Sequence, residues 1–201
     1  RGNFDLTPEE RHNAHFSYWM FDYFSFTSLF ASINAEYTKN KISYSQNTDK
    51  NLIKMTSPVN TPYHYTASAY INFSTPIRVL GLKVNTWLHE NWSKGITVIN
   101  EQDNVQTNMT HTLDLNIENR KKDIWDVRFG GRVSMTDAKF SISSYDATYV
   151  NTSYYTDVRF TTTQKWNFAI EALVINYEAE SFSEVVEIPI LNARIDYYIK
   201  G

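Results

Sequence analysis

Cysteine is absent from the 201 residues, which removes disulfide frameworks, thiolate chemistry and cysteine zinc sites at once. Glycine and proline are few, at six and five, leaving long stretches without the residues that interrupt regular structure. Uninterrupted apolar runs reach only about four residues, far short of the ~20 that a transmembrane helix needs. A helical membrane protein is excluded. The opening Arg1-Gly2-Asn3-Phe4-Asp5-Leu6 has no succession of basic, apolar and small residues, so no signal peptide is read there. In an exported protein that pattern fits a mature chain or a piece of a longer one. Net charge is -3 with Lys and Arg scattered, so the basic stripe of a nucleic-acid binder is missing too. Asn-X-Ser/Thr triplets at Asn72, Asn91, Asn108 and Asn151 carry little weight in a chain this rich in Asn, Ser and Thr.

What the chain does contain is a β-forming vocabulary. It has 14 Tyr, 12 Phe and 5 Trp among abundant Thr and Ser. Hydrophobic residues make up 42%, yet the mean hydropathy is -0.46, because apolar and polar residues alternate. Val105, Met109, Leu113, Leu115 and Ile117 share one parity with Thr107 and His111; Asn108, Asp114, Asn116 and Glu118 share the other. Trp125, Val127, Phe129, Val133 and Met135 alternate with Asp126, Arg128, Arg132, Ser134 and Thr136. Leu191, Ala193, Ile195 and Tyr197 alternate with Asn192, Arg194, Asp196 and Tyr198. Period two marks strands with one apolar and one polar face.

The same test predicts about nine strands, at 12–21, 24–38, 63–74, 82–97, 104–119, 124–138, 152–163, 166–177 and 188–200. Phase slips near Ser28 and around Ala172-Leu173 predict β-bulges. Most runs reach the ~9–11 residues of a tilted transmembrane strand, well beyond the ~5–6 usual in soluble proteins. Charges confined to one parity suit a wet lumen, and the nearly charge-free opposite parity suits lipid. Tight connections are expected around Asp22-Tyr23, Thr75–Gly81, Asn119–Asp123 and Gln164-Lys165, with longer polar ones including Lys39–Pro62 and Lys139–Asn151. Short periplasmic turns and long extracellular loops would put residues 1–11 outside and Gly201 at the periplasmic rim. An odd strand count leaves the two ends on opposite membrane faces, and closing a barrel removes the unpaired edges that lipid does not tolerate. The expectation is an all-β, antiparallel up-and-down transmembrane β-barrel, with residues 1–201 supplying one partial barrel domain.

The segment Gly2-Asn3-Phe4-Asp5-Leu6-Thr7-Pro8-Glu9-Glu10-Arg11-His12-Asn13 resembles a Gly-Asn-Pro-x-Leu-x-Pro-Glu-like loop of TonB-dependent outer-membrane receptors. It departs at Phe4, where that family usually has Pro. Phe24–Ala31 and Ile188–Ala193 also resemble barrel strands of that family. The resemblance implies a barrel of about 22 strands with a plugged lumen, of which this chain is an internal piece. It also implies import of a nutrient across the outer membrane of a Gram-negative bacterium. Its partners would be outer-membrane lipid, the missing strands and plug domain of the parent, the TonB system and a surface lipoprotein. No plug, TonB-contact segment or terminal aromatic strand has a counterpart in these residues.

His12 and His15 are three apart in a strand and point to opposite faces, so they cannot share a metal. His64, His89 and His111 are read as isolated histidines. Gly130-Gly131 lacks the rest of a phosphate loop and is read as a bend or a close backbone approach. Glu178, Glu180, Glu184 and Glu187 form an acidic patch, read as a solvated loop rather than a calcium site. Trp19, Trp87, Trp92, Trp125 and Trp166 are read as interfacial girdle residues rather than sugar platforms. Asp114, Arg128, Arg132, Arg194 and Asp196 are the candidate lumen or plug-facing residues, with Asp114 paired to Arg128 or Arg132. No catalytic residue, cofactor, metal site or nucleic-acid partner is expected. The alternatives to a transporter are an outer-membrane barrel used for anchoring or secretion without TonB coupling, and a soluble glycan-binding β-sandwich.

Overall fold

A computed structural model describes residues 3–142, 146–162, 165–179 and 185–199. Within them the chain forms nine strands: β1 (Glu10–Asp22), β2 (Thr27–Thr48), β3 (Lys54–Ile77), β4 (Leu82–Ile99), β5 (Gln102–Asn119), β6 (Trp125–Phe140), β7 (Ala147–Thr161), β8 (Trp166–Ala179) and β9 (Val186–Tyr197). The one helical turn among the described residues is a 3-10 turn at Arg78–Leu80. The strands make a single antiparallel sheet in chain order from β1 to β9. No pairing joins β1 to β9 among the described residues, so the sheet is open and has two free edges. All nine expected strands are present, and the all-β antiparallel architecture stands as read.

Two expectations about local shape are corrected. Neither slip is a bulge: β1 and β2 stay in register from Glu10↔Lys39 to Asp22↔Thr27, and β8 keeps unbroken register with β7 and β9. Phe24 and Phe26 lie in the β1–β2 turn, so their parity says nothing about a face. The Asp22 carboxylate builds that turn by accepting from the Phe24 N–H at 2.9 Å and the Ser25 hydroxyl at 2.5 Å. In β8 the change of phase is real but unaccompanied by a bulge: Leu173 and Ile175 face the same side as Asn167 and Glu171.

The second correction concerns the long connections. Lys39–Pro62 is mostly a hairpin, because β2 runs to Thr48 and β3 begins at Lys54. Lys139–Asn151 shortens likewise, with β6 ending at Phe140 and β7 starting at Ala147. β4 and β5 are joined by Asn100-Glu101 alone, both in the left-handed region at φ 49° and 64°, the geometry of a type I′ hairpin turn. Backbone pairing continues where polar residues occupy both faces, as Ser43, Ser45 and Asn47 do on one side and Gln46 and Thr48 on the other, so alternation of polarity fades before the strand ends.

The β2–β3 hairpin changes character at Asn40, which has φ 53° and faces Pro62 across a gap in the ladder. Proline has no N–H to donate. Beyond this point β2 leaves β1 and pairs in parallel with β4 through Ser45↔Val98 and Gln46↔Ile99. Residues before β1 dock at the bend. Asn60 accepts from the Thr7 N–H at 2.7 Å, donates to the Asn40 carbonyl at 2.7 Å, and Asn3 donates to the Pro58 carbonyl at 3.0 Å. The Glu9 carboxylate accepts from the Ile42 N–H at 2.8 Å and meets Lys41 at 3.0 Å. Those two contacts hold its carboxyl below the usual carboxylate range.

Candidate functional site

Residues directly paired across an antiparallel ladder share a face, so the register sorts the sheet into two sides. One row runs Asn72, Trp87, Asp114, Arg132 and Ser153; the row beside it runs Ile71, Leu88, Leu113, Val133 and Thr152. The first belongs to a polar face and the second to an apolar one. Burial is inverted relative to an ordinary globular domain. Among the described residues ten are buried; eight of these are polar, Asp114 and Thr112 among them, and two, Ile96 and Ala169, are apolar. Asp114 is 1% exposed, whereas Leu113 and Leu115 on either side of it are each 50% exposed. Side chains of the polar face shield one another, as the Asp114 contacts with Arg132 and Tyr155 illustrate.

The apolar face carries aromatic rings at two levels. Near one end His12, Tyr37, Tyr65 and Trp92 follow one another across β1 to β4. Near the other, Trp125 lies 4.3 Å from Phe160, and Trp166 lies 4.6 Å from Tyr197. Between these levels the one ionisable contact among the described residues on this face is the Glu90–His111 pair. The lone interruption that His111 makes in the β5 alternation therefore has a carboxylate partner on β4.

The polar face gathers most of the candidate residues into one network. Arg132 Nε donates to Asp114 Oδ2 at 3.1 Å, and its guanidinium lies 5.0 Å over the Trp87 ring. Tyr155 donates its hydroxyl to Asp114 Oδ1 at 3.0 Å. Arg128 turns instead to Asp157, with Nε to Oδ2 at 2.7 Å, while its guanidinium lies 5.6 Å over Tyr155. Of the two partners expected for Asp114, Arg132 is the one that pairs. Arg194 and Asp196 share the face but form a separate pair on β9 at 3.1 Å, with Asn167 donating to the same Asp196 oxygen at 3.1 Å. Gly130 makes the close approach expected of it: the Tyr155 ring lies across its backbone.

Two clefts flank this network. One of about 260 Å³ is walled by Glu118, Lys122, Asp126, Arg128, Asp157 and Arg159, which are linked by ion pairs. Lys122, in the β5–β6 turn, has its ammonium held above the usual lysine range, chiefly by its hydrogen bond to Glu118. The other cleft, about 480 Å³, runs from Arg128 and Arg132 across Tyr155 to Leu173, Ile175 and Ile190. Ionised side chains on these walls can donate or accept charge-assisted hydrogen bonds, which are stronger than neutral ones.

No family model, curated protein or solved structure matches the chain. The functional reading therefore rests on these side chains and on the sequence resemblance.

Trp19 and Trp87, read as girdle residues, lie instead on this face, because the register runs Trp19, Phe30, Asn72, Trp87 and Asp114 along one row, and sequence alone missed Tyr155, Asp157 and Glu171 as members of the face. Their parity is visible, but the pairing that brings β7 to β6 and β8 is a matter of register. Among the described residues, no group of three or more His, Asp or Glu is placed to hold a metal ion. Glu178 and Glu187 lie on neighbouring strands β8 and β9, and Glu180 and Glu184 of the acidic patch fall outside the described residues.

Proposed function

We propose that this chain is a stretch of wall from an outer-membrane β-barrel, a TonB-dependent receptor that imports a nutrient through a plugged lumen. The observation that carries the reading is the inverted burial: polar side chains pack against one another while large apolar ones stand exposed. In water such a surface is a severe liability; in a bilayer it is the requirement for a barrel. Strands of 12 to 24 residues exceed the ~9–11 needed to cross at a tilt. Aromatic rings at two levels of the apolar face fit the girdles that flank a barrel's lipid-facing band. A glycan-binding β-sandwich would cover its apolar face with a second sheet, and the described residues form one sheet only.

Lipid would not tolerate the free edges of β1 and β9, so further strands of a parent chain would complete the barrel. Asp114, Arg128, Arg132, Arg194 and Asp196 then line the lumen, where mixed charges hold a polar plug through ion pairs and water. The TonB assignment is supported by the resemblance of residues 2–13 and the style of the strands. Fractionation tests the barrel: the protein should sediment with outer membranes and require detergent for release, and recovery in buffer would refute it. Uptake tests the transport: ligand entry should depend on TonB energisation, whereas passive leakage of small solutes indicates an open pore.

A further inference from the structure

The polar face is not polar throughout. In β8 and β9, Leu173 pairs with Ile190 and Ile175 pairs with Ile188, and register places all four on the side that carries Tyr155 and Ser153 of β7. Three of them, Leu173, Ile175 and Ile190, line the 480 Å³ cleft together with Arg128, Arg132 and Tyr155, and Ile188 extends the apolar island beside it. Volume and lining match those of small-molecule sites, which are mostly apolar with a few convergent polar groups.

Charge then selects the ligand. The two arginines that enter the cleft are already neutralised, Arg128 by Asp157 and Arg132 by Asp114, and each guanidinium also lies over an aromatic ring. Glu171, opposite Asp157 in the ladder and two residues before Leu173, lines the same cleft. Among the described residues its side chain makes no ion pair or hydrogen bond. The cleft therefore has an apolar floor bordered by one uncompensated carboxylate.

We propose that this cleft binds a small amphipathic cation, its apolar body on Leu173, Ile175 and Ile190 and its ammonium or guanidinium group on Glu171. The proposal deepens the barrel reading and rests on the polar face being the lumen. Isolated outer membranes containing the full parent protein provide the test, with 4-azidophenethylammonium as photoaffinity probe and 4-azidophenylacetate and 4-azidophenethyl alcohol as its anionic and neutral counterparts. Label from the cation should map to the peptides carrying Tyr155, Leu173, Ile175 and Ile190. It should exceed label from the neutral alcohol by roughly two- to fivefold, the range of a partly exposed ion pair, with the anion lowest. Glu171→Gln removes no contact of the folded protein and should bring the cation down to the level of the alcohol. Equal labelling by cation and anion, label elsewhere in the protein, or an unchanged signal in E171Q would overturn the site. Absence of the protein from the outer-membrane fraction would instead overturn the barrel reading on which it rests.

Discussion

Tyr155 lies flat across Gly130, its hydroxyl reaching over the neighbouring strand to Asp114 at 3.0 Å. A Cβ on Gly130 would stand 2.6 Å from ring carbon Cε2, closer than side-chain carbons pack. The glycine is thus the opening through which β7 joins the Asp114–Arg132 pair of β5 and β6. Gly130→Ala should displace the ring and cost about 1–3 kcal/mol, the usual penalty of overpacking. Tyr155→Phe keeps the ring and removes only the hydrogen bond, and should cost about 1 kcal/mol. Urea unfolding in detergent compares them. Equal stability of G130A and the parent protein would mean that the ring moves freely and does not hold the network.

Leu115 lies between the two aromatic levels on the apolar face, next to Gly131 in the ladder. Leu115→Arg there should cost about 2–4 kcal/mol at the bilayer midplane. Thr110→Arg, on the polar face of the same strand, should cost far less because its charge enters the wet side. Folding titrations in lipid vesicles measure both. The opposite ranking would assign lipid to the polar face and remove the barrel interpretation.

The nine strands and the sorting of residues into faces were readable from alternation, because successive residues of a strand point to opposite sides of the sheet and the two sides differ in polarity. Asp114 was legible as half of an ion pair with Arg128 or Arg132; that Arg132 is the partner depends on the register of β5 and β6, which sets Asp114 opposite Arg132. The hairpin beyond Asn40 was not legible, since a strand with polar residues on both faces has no polarity to alternate, and Ser, Thr and Asn serve loops and strands equally. Nor was the network around Tyr155: single-strand parity places Tyr155 on a face but not opposite Gly130, which depends on the register of β6 and β7. Leu173 and Ile175 misled for a physical reason. An apolar patch on a polar face looks like a slipped strand when only one strand is in view.

Pairing also sharpens where proteases will cut. Lys41 and Lys54 lie within the paired arms of the β2–β3 hairpin, whereas Lys50 lies in the tip between them. Trypsin added to intact cells should cleave after Lys50 well before Lys41 or Lys54, and should spare Lys121 and Lys122 in the β5–β6 turn. Mass spectrometry of the released peptides reads the order. Cleavage confined to Lys121 and Lys122 would invert the orientation, putting the short turns outside.

The docking of residues 3–9 on the hairpin should be sensitive to acid. Glu9 has its carboxyl held below the usual value near 4.5 by the Ile42 N–H and Lys41. A carboxyl depressed in the folded state stabilises docking above its unfolded value, and that contribution disappears as pH falls through the lower folded value. Protection of the Ile42 amide, taken relative to its intrinsic exchange rate at each pH, should therefore fall on acidification below about pH 4.5. Glu9→Gln should weaken the pH dependence by removing the charge on Lys41's partner. An amide equally protected at pH 3 and pH 7 would show that Glu9 does not secure the segment.

The two sheet edges supply the strongest demand for additional chain. β1 and β9 each pair on one side only, and their outward apolar residues are among the most exposed, with Phe16 at 65% and Leu191 at 73%. An unpaired amide in hydrocarbon costs several kcal/mol, and a row of them exceeds the ~5–15 kcal/mol by which whole domains are stable. The isolated 201-residue chain, refolded in detergent, should therefore self-associate through these edges, with amides of β1 and β9 exchanging much faster than those of β5. Adding back the remaining strands of the parent chain should slow exchange at both edges and yield a monomer. A monodisperse monomer of the isolated chain with β1 and β9 as protected as β5 would mean that the sheet closes on itself, and the requirement for further strands would fall.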